Sequence, residues 1–352
     1  MPKMGLVLQG GGALGAYEYG AVTRLVELGW QPVAVTGVSI GAITTAAIAG
    51  ARNDDICASL RQLWEAITLK PVPFLPANSQ AMFSLFGNPG FWRSRNDIFN
   101  LSHWTSLCDV SPMRETLETI CDFDQLNDPF HIRVSVTATN VATGGQDSFS
   151  NFTPKSLSPD GAKSRLRPLR LTPDHILASG SLPPGFPMTM IDGTAYWDGG
   201  LFDNTPIEAL LDLLYEDEIE QLPIFVLDLF ANRDAIPQNL MEVRGRMMEI
   251  SYENRFWASH PGTGLDHAAL ASMLEGIARD LPADSPVRSS ESFRRLQRLR
   301  ALKNVKVIQA DHAPMTGGMD FSAEGVKTRF DSGYAAVDKL FGSENGRMRA
   351  AA

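Results

Sequence analysis

The sequence predicts an α/β protein built on a mostly parallel central sheet, and three features predict it. Leu6-Val7-Leu8 and Val33-Ala34-Val35 read as short buried strands, and between them Leu14, Tyr17, Ala21, Leu25 and Leu28 recur at helical spacing up to Gly29, which makes a βαβ unit. Both strands run straight into glycine-rich loops, and open α/β sheets place their ligands at that edge. Two further apolar strands, Leu222 to Leu229 and Val305 to Ile308, are separated by long helical patterns.

The first loop is Gln9-Gly10-Gly11-Gly12-Ala13-Leu14-Gly15. It matches the Gly-x-Gly-x-x-Gly of dinucleotide sites, but those need an acidic residue near the end of the second strand, and none lies between Glu27 and Asp54. No Gly-Lys-Ser/Thr follows, so a phosphate-binding P-loop is excluded. A glycine run opening a helix exposes backbone N–H groups, which can hold the oxyanion of an acyl-transfer intermediate. Gly10, Gly11, Gly12 and Ala13 are the candidate oxyanion-loop residues.

The second loop is Gly37-Val38-Ser39-Ile40-Gly41, between a strand and the helix-forming run Ala42 to Ala49. Strand, sharp turn with serine at its apex, then helix is the layout of a nucleophile elbow. Gly37 and Gly41 leave room for a strained turn, and Ser39 sits at the positive end of the helix, where a developing anion is favoured. Uncharged as it is, Val33 to Ala51 is better explained as strand, elbow and buried helix than as a membrane span.

Farther along, residues 53–67 read as helix. Pro71 to Trp104 mixes prolines, glycines and asparagines with Phe74, Leu75, Met82, Phe83, Leu85, Phe86, Phe91 and Trp92, and reads as an irregular excursion from the sheet. It is either a hydrophobic cluster over the sheet or an acyl-chain wall and lid with peripheral membrane contact. Residues 112–120 and 173–179 read as short helices, 132–139 and 146–152 as strands, and 158–168 as a basic loop. Asp198-Gly199-Gly200 follows a short strand, so the Asp198 carboxylate can approach another loop closely, and Pro206 opens a helix through Leu214. Helical patterns then cover about 237–257, 266–278, 289–302 and 323–341, before a loose tail.

The 31 Lys and Arg against 40 Asp and Glu give a net charge of −9, which leaves no excess of cations for nucleic acid. The three cysteines, Cys57, Cys108 and Cys121, are widely spaced and read as reduced thiols of a cytosolic protein. No His/Asp/Glu cluster has metal-ligand spacing, and no metal or cofactor is expected.

Gly10 to Gly15, Gly37 to Gly41 and Asp198-Gly199-Gly200, in that order, resemble the glycine-rich loop, Gly-x-Ser-x-Gly elbow and Asp-Gly-Ala/Gly motif of the patatin-like phospholipases. The stretch Ala178 to Pro187, and Asn204 with Pro206, look like the family's flanking segments, so the resemblance covers about Lys3 to Leu214. It implies a three-layer α/β/α fold, a Ser–Asp dyad without histidine, and hydrolysis of acyl esters, often of phospholipids. Gly15, Gly37, Gly41, Gly199 and Gly200 are then motif glycines. One position departs from the pattern: members commonly carry Lys or Arg where this chain has Leu14. The helical C-terminal part looks like an extension found in some bacterial members.

On this reading Ser39 attacks the ester carbonyl, Asp198 takes its proton, and the N–H groups of the glycine loop stabilise the oxyanion. The expected organisation is a catalytic core over 1–214, continued by the strand near 222–229, a helical extension over 237–342 packed on it, and a flexible tail over 343–352. The expected place is the cytoplasm, with peripheral contact at the inner face of the membrane through 71–104 and a lipid or acyl-ester substrate. Three other readings are distinguishable. An ordinary triad needs one of His260, His267 or His312 beside Asp198; the chain also holds His103, His131 and His175. An acyltransferase or thioesterase on the same fold would use a Ser–His pair, commonly with an Arg. A non-catalytic lipid-binding module would neither turn over esters nor take a serine-directed probe.

Overall fold

Every strand near the N-terminus is buried on both of its faces, and the rest of the chain is arranged to cover them. The computed structural model describes residues 1–70, 87–95, 97, 102–153, 166–230, 236–252, 267–310 and 317–350. β1 (Lys3–Leu8), α1 (Ala16–Glu27), β2 (Gln31–Gly37) and α2 (Ile40–Ala49) build the βαβ unit and the elbow helix. α3 (Ile56–Ile67) follows, capped by Asp55, whose carboxylate accepts from the Ala58 N–H at 2.8 Å. β3 (Gly87–Asn88), β4 (Trp92–Ser94) and β5 (Cys108–Asp109) form a small antiparallel sheet. α4 (Ser111–Ile120) and α5 (Phe123–Leu126) lead to β6 (Arg133–Asn140), β7 (Gln146–Ser150) and β8 (Leu166–Pro168). Then come α6 (Pro173–Ser179), the hairpin of β9 (Thr189–Ile191) and β10 (Thr194–Asp198), α7 (Ile207–Leu213) and β11 (Ile224–Asp228). The C-terminal part holds α8 (Leu240–Tyr252), α9 (His267–Asp280), α10 (Pro286–Ser289), α11 (Glu291–Arg298), β12 (Val305–Gln309) and α12 (Ala323–Ala350).

Five strands run parallel in the order β12, β11, β1, β2, β6. β1 turns Met4, Leu6 and Leu8 toward one face and Val7 toward the other, and β11 alternates likewise between Phe225 and Leu227 on one side and Ile224 and Val226 on the other. Side chains of α1, α2, α3 and α12 fill the first face, and those of α7 with Ala301 and Leu302 fill the second. The protein is thus a three-layer α/β/α fold, as expected. β7 pairs with one edge of β6 over residues 135–139. β2 and β10 must therefore share the other edge, Gly37 standing opposite Val136 and Asp198 opposite Ala138. The strand carrying the aspartate therefore runs toward the strand leading to the elbow along that edge, and the two end close together.

Three stretches differ from the sequence expectation. The excursion after residue 71 is not wholly irregular, because β3 and β4 lie in it; strands of two and three residues are too short to show alternation. Its Phe91 and Trp92 are buried against Phe186 and Phe321, so they belong to the core and not to a lid, whereas Phe74, Leu75, Met82, Phe83, Leu85 and Phe86 lie outside the described residues. Leu166, read as loop, is buried in β8 on the edge of β7. The last helix does not stop at 341: its backbone stays helical to Ala350, through a stretch with no proline to end it. Among the described residues, no helix is long and apolar enough to cross a membrane.

α12 is fixed to α1 by two glycines. A Cβ at Gly333 would overlap the Tyr17 carbonyl oxygen, and one at Gly20 would overlap that of Phe330, so the two backbones cross in direct contact. Arg24 adds a 2.7 Å ion pair to Asp338, partly exposed and worth little by itself. Gly→Ala in an open helix gains about 1 kcal/mol. At Gly333 the sign is expected to reverse, with Gly333→Ala losing about 1–3 kcal/mol and several degrees of melting temperature through overpacking. An unchanged or higher melting temperature would show that the helices can part at no cost.

Candidate active site

The elbow forms because β2 leaves β6 at Gly37 and α2 starts at Ile40, with only Val38 and Ser39 between. Ser39 takes φ 55°, ψ −121°, a conformation non-glycine residues rarely adopt. Its N–H donates to the Ser179 carbonyl at 3.1 Å and lies 3.1 Å from the Ser179 hydroxyl, while its carbonyl accepts from Ala42 and Ile43. The Ser179 hydroxyl in turn donates to the Thr137 carbonyl on β6. Gly37 and Gly41 are where a side chain cannot stand: a Cβ on Gly37 would overlap the Gly41 carbonyl, and one on Gly41 would run into the Leu8 carbonyl.

Asp198 ends β10 and is 2% exposed. Its carboxylate accepts the Gly200 N–H at 2.8 Å and has the Ser39 hydroxyl near it, a second donor that favours the ionised form. Burial pushes its pKa up from 3.8 to about 6, against the lowering effect of those two donors. Gly199 lets this turn lie flat on β6, since a Cβ there would overlap the Thr137 carbonyl.

The glycine loop runs beside the elbow. An ideal Cβ on Gly10 would lie 3.0 Å from the Ser39 Cβ, and one on Gly15 would meet the Ile40 side chain at 2.7 Å. The N–H of Gly10 is already engaged: it donates to Asn204 Oδ1 at 3.1 Å, while Asn204 Nδ2 donates to the Gly10 carbonyl at 3.1 Å. Gly10 is therefore clamped and leaves no donor for a ligand. Among the described residues the N–H of Gly11 has no acceptor, and Gly12 and Ala13 open a 3-10 turn whose first N–H groups have no partner within it. Gly12 sits at φ +58°, with the Gly318 carbonyl where a Cβ would be. Gln9 ties the loop base to the fold, donating to the Thr205 hydroxyl at 2.6 Å and accepting the Leu229 N–H at 2.8 Å. Leu14 is 6% exposed and part of the core, so a cation at that position would be buried.

Two neighbours come from the C-terminal part and had no signal in the sequence. The Tyr252 carbonyl, at the end of α8, accepts from Asn204 Nδ2 at 3.2 Å. An ideal Cβ on Gly200 would stand 3.1 Å from Asp198 Oδ1 and 3.5 Å from Tyr252 Cδ1, so the tyrosine ring lies beside the carboxylate. Burial and that carboxylate push the Tyr252 phenol up to about 12. The turn Gly317–Met319 lies on the glycine loop. Neither belongs to a local motif, and only contacts between distant elements reveal them.

No described histidine is bonded to Ser39 or Asp198. His103 is exposed, His131 lies 3.0 Å from Gln125, and His175 caps α6 through Thr172 and packs on Phe149. His260 and His312, and the side chain of His267, lie outside the described residues. Among the described residues, no group of three or more His, Cys, Asp or Glu is placed to hold a metal ion.

The family model for patatin-like phospholipases matches residues 6–211, more than half of the 352. The chain belongs to the patatin-like phospholipase family. It is a lipid acyl hydrolase. Among solved structures this patatin-like phospholipase is similar to VipD from Legionella pneumophila, at 16% identity over 96% of this chain and 67% of that one, with a TM-score of 0.39. It is also similar to the human GIVD cytosolic phospholipase A2, at 13% identity over 94% of this chain and 59% of that one, TM-score 0.35. A chain of the ExoU–SpcU complex from the Pseudomonas aeruginosa type III secretion system shares 17% identity over 96% of this chain and 74% of that one, TM-score 0.31. Likeness at such TM-scores carries no weight, and the fold rests on the strand topology and the family match. No curated protein sequence matches this patatin-like chain significantly.

Proposed function

We propose that this lipid acyl hydrolase is a phospholipase- or lysophospholipase-type enzyme working through an acyl-enzyme on Ser39, with Asp198 as its base. The observation that carries the reading is a strained elbow serine set beside a buried carboxylate whose pKa burial raises to about 6. Ser39 Oγ adds to the ester carbonyl as its proton passes to Asp198. The oxyanion is held by the N–H groups of Gly11 and Gly12, with Ala13 behind them, near the positive end of α2. Asp198 returns the proton to the leaving alcohol, and water repeats the cycle on the acyl-enzyme. Gly10, clamped by Asn204, positions the loop instead of donating.

The same reading keeps 1–214, continued by β11, as the catalytic core, with 237–342 packed on it through β12 and α12. Free Cys57, Cys108 and Cys121 are consistent with a reducing cytoplasmic setting.

The test is the pH profile with a soluble short-chain nitrophenyl ester. A base of pKa about 6 must be ionised to act, so kcat/KM is expected to rise with pH, reach half its plateau near 6, and fall to about a tenth of the plateau one unit lower. Tyr252→Ala opens the carboxylate to water and is expected to move that midpoint toward lower pH, whereas Tyr252→Phe keeps the covering ring and leaves it in place. A midpoint near 7 that disappears in a histidine variant would replace the dyad with a triad.

A further inference from the structure

We propose that α8 is the lipid-contact element of this enzyme, laying a solvent-facing apolar stripe that ends at the catalytic carboxylate onto a zwitterionic phospholipid surface. The choice of lipid as occupant rests on the hydrolase reading; the stripe itself does not. Leu240, Val243, Met247 and Ile250 follow one another at three, four and three residues, which sets them on one side of the helix. All four are exposed, by 86%, 42%, 64% and 44%. An isolated exposed leucine is ordinary, but a row of four along one helix is not.

What lies at the end of the row identifies its occupant. Two residues beyond Ile250, the Tyr252 carbonyl accepts from the asparagine that clamps the glycine loop, and its ring lies beside Asp198. There α8 meets the 3-10 turn Gly199–Leu201 that follows the aspartate. Leu201 and Phe202 are themselves 45% and 56% exposed, so the apolar surface continues from the helix to the residues just after the catalytic motif. A lipid ester reaches such a site only if its acyl chains leave an aggregate, and an apolar rim at the mouth shortens that transfer through water. The net charge of −9 gives no general attraction to anionic membranes, so apolar contact has to carry adsorption and a zwitterionic surface is the matching one. Phe91 and Trp92 of the 71–104 stretch cannot serve here, because both are in the core, and the half-buried Trp104 is covered by the Arg95 guanidinium.

The experiment is co-sedimentation of the full chain with phosphatidylcholine vesicles, alongside turnover of a soluble short-chain ester. Val243→Glu with Met247→Glu is expected to reduce vesicle partitioning by about tenfold or more, while soluble-ester turnover stays within about twofold. Leu240→Glu alters a side chain already 86% exposed, so it disturbs no packing, and it is expected to reduce partitioning by a smaller factor in the same direction. Partitioning unchanged in both variants overturns the proposal. So does light scattering that finds a wild-type dimer, broken by the variants while vesicle binding persists, since the stripe would then join two copies of the chain. Vesicle binding is read without turnover, so a chain that binds vesicles through the stripe but cleaves no ester would refute the hydrolase chemistry and leave the lipid contact standing.

Discussion

Ser39→Ala and Asp198→Asn are each expected to lower kcat by roughly 10³- to 10⁵-fold, and the double variant to be no worse than either single one, because residues that act as one unit lose their effect together. His103→Ala, His131→Ala and His175→Ala should each keep most of the activity, since none of these side chains is bonded to Ser39 or Asp198. A folded histidine variant as inactive as Ser39→Ala would overturn the dyad. The same aspartate makes a second expectation in the opposite direction. Asp198 holds its proton more readily in the fold, at about 6, than at the ordinary 3.8. Its contribution to stability is therefore fully present below about pH 4 and is lost as the pH rises through 6. At pH 8 the ionised, buried carboxylate costs on the order of 2–3 kcal/mol, and Asp198→Asn is expected to melt higher than the native protein while being inactive. Thermal melts of the two proteins at pH 4 and pH 8 should show a gap that opens only at the higher pH.

Gly12→Ala is expected to lower kcat and kcat/KM together by roughly 100- to 1000-fold with KM little changed, the signature of a contact made only in the transition state. Two things force the loop to move: alanine resists φ +58°, and its Cβ would overlap the Gly318 carbonyl. The N–H groups of Gly11 and Gly12 then lose their aim. Gly29→Ala is the control for strain alone, since Gly29 also has positive φ (+86°) but nothing within 4 Å of its Cβ position. It should lower the melting temperature and spare turnover. Full activity in Gly12→Ala would remove this loop from the oxyanion site.

Much of this site is legible in the order of the residues, for a local reason. A nucleophile elbow needs residues without side chains where the chain doubles back, and Gly37 and Gly41 meet backbone carbonyls at those points. The glycine loop is legible for the same reason, but not which of its N–H groups is free: the engagement of Gly10 comes from Asn204, 194 residues away. The apolar run after residue 71 is legible as unusual, yet composition does not tell a lid from a core. Burial of Phe91 and Trp92 against Phe186 and Phe321 depends on segments the run itself does not contain.

The sequence by itself determined the fold class and the family, and it singled out the candidate serine, the candidate aspartate and their glycines. Steric demands within five or six residues dictate residue type, so they are written into the local order. The tertiary structure decided that β2 and β10 follow each other along one edge of β6, which is what brings Asp198 to Ser39. It also decided that Asp198 is buried deeply enough to titrate near 6, and that Tyr252 and the Gly317–Met319 turn close the site from the C-terminal part. Desolvation and long-range contact depend on what the whole chain packs around a group, and no window of neighbouring residues contains that information.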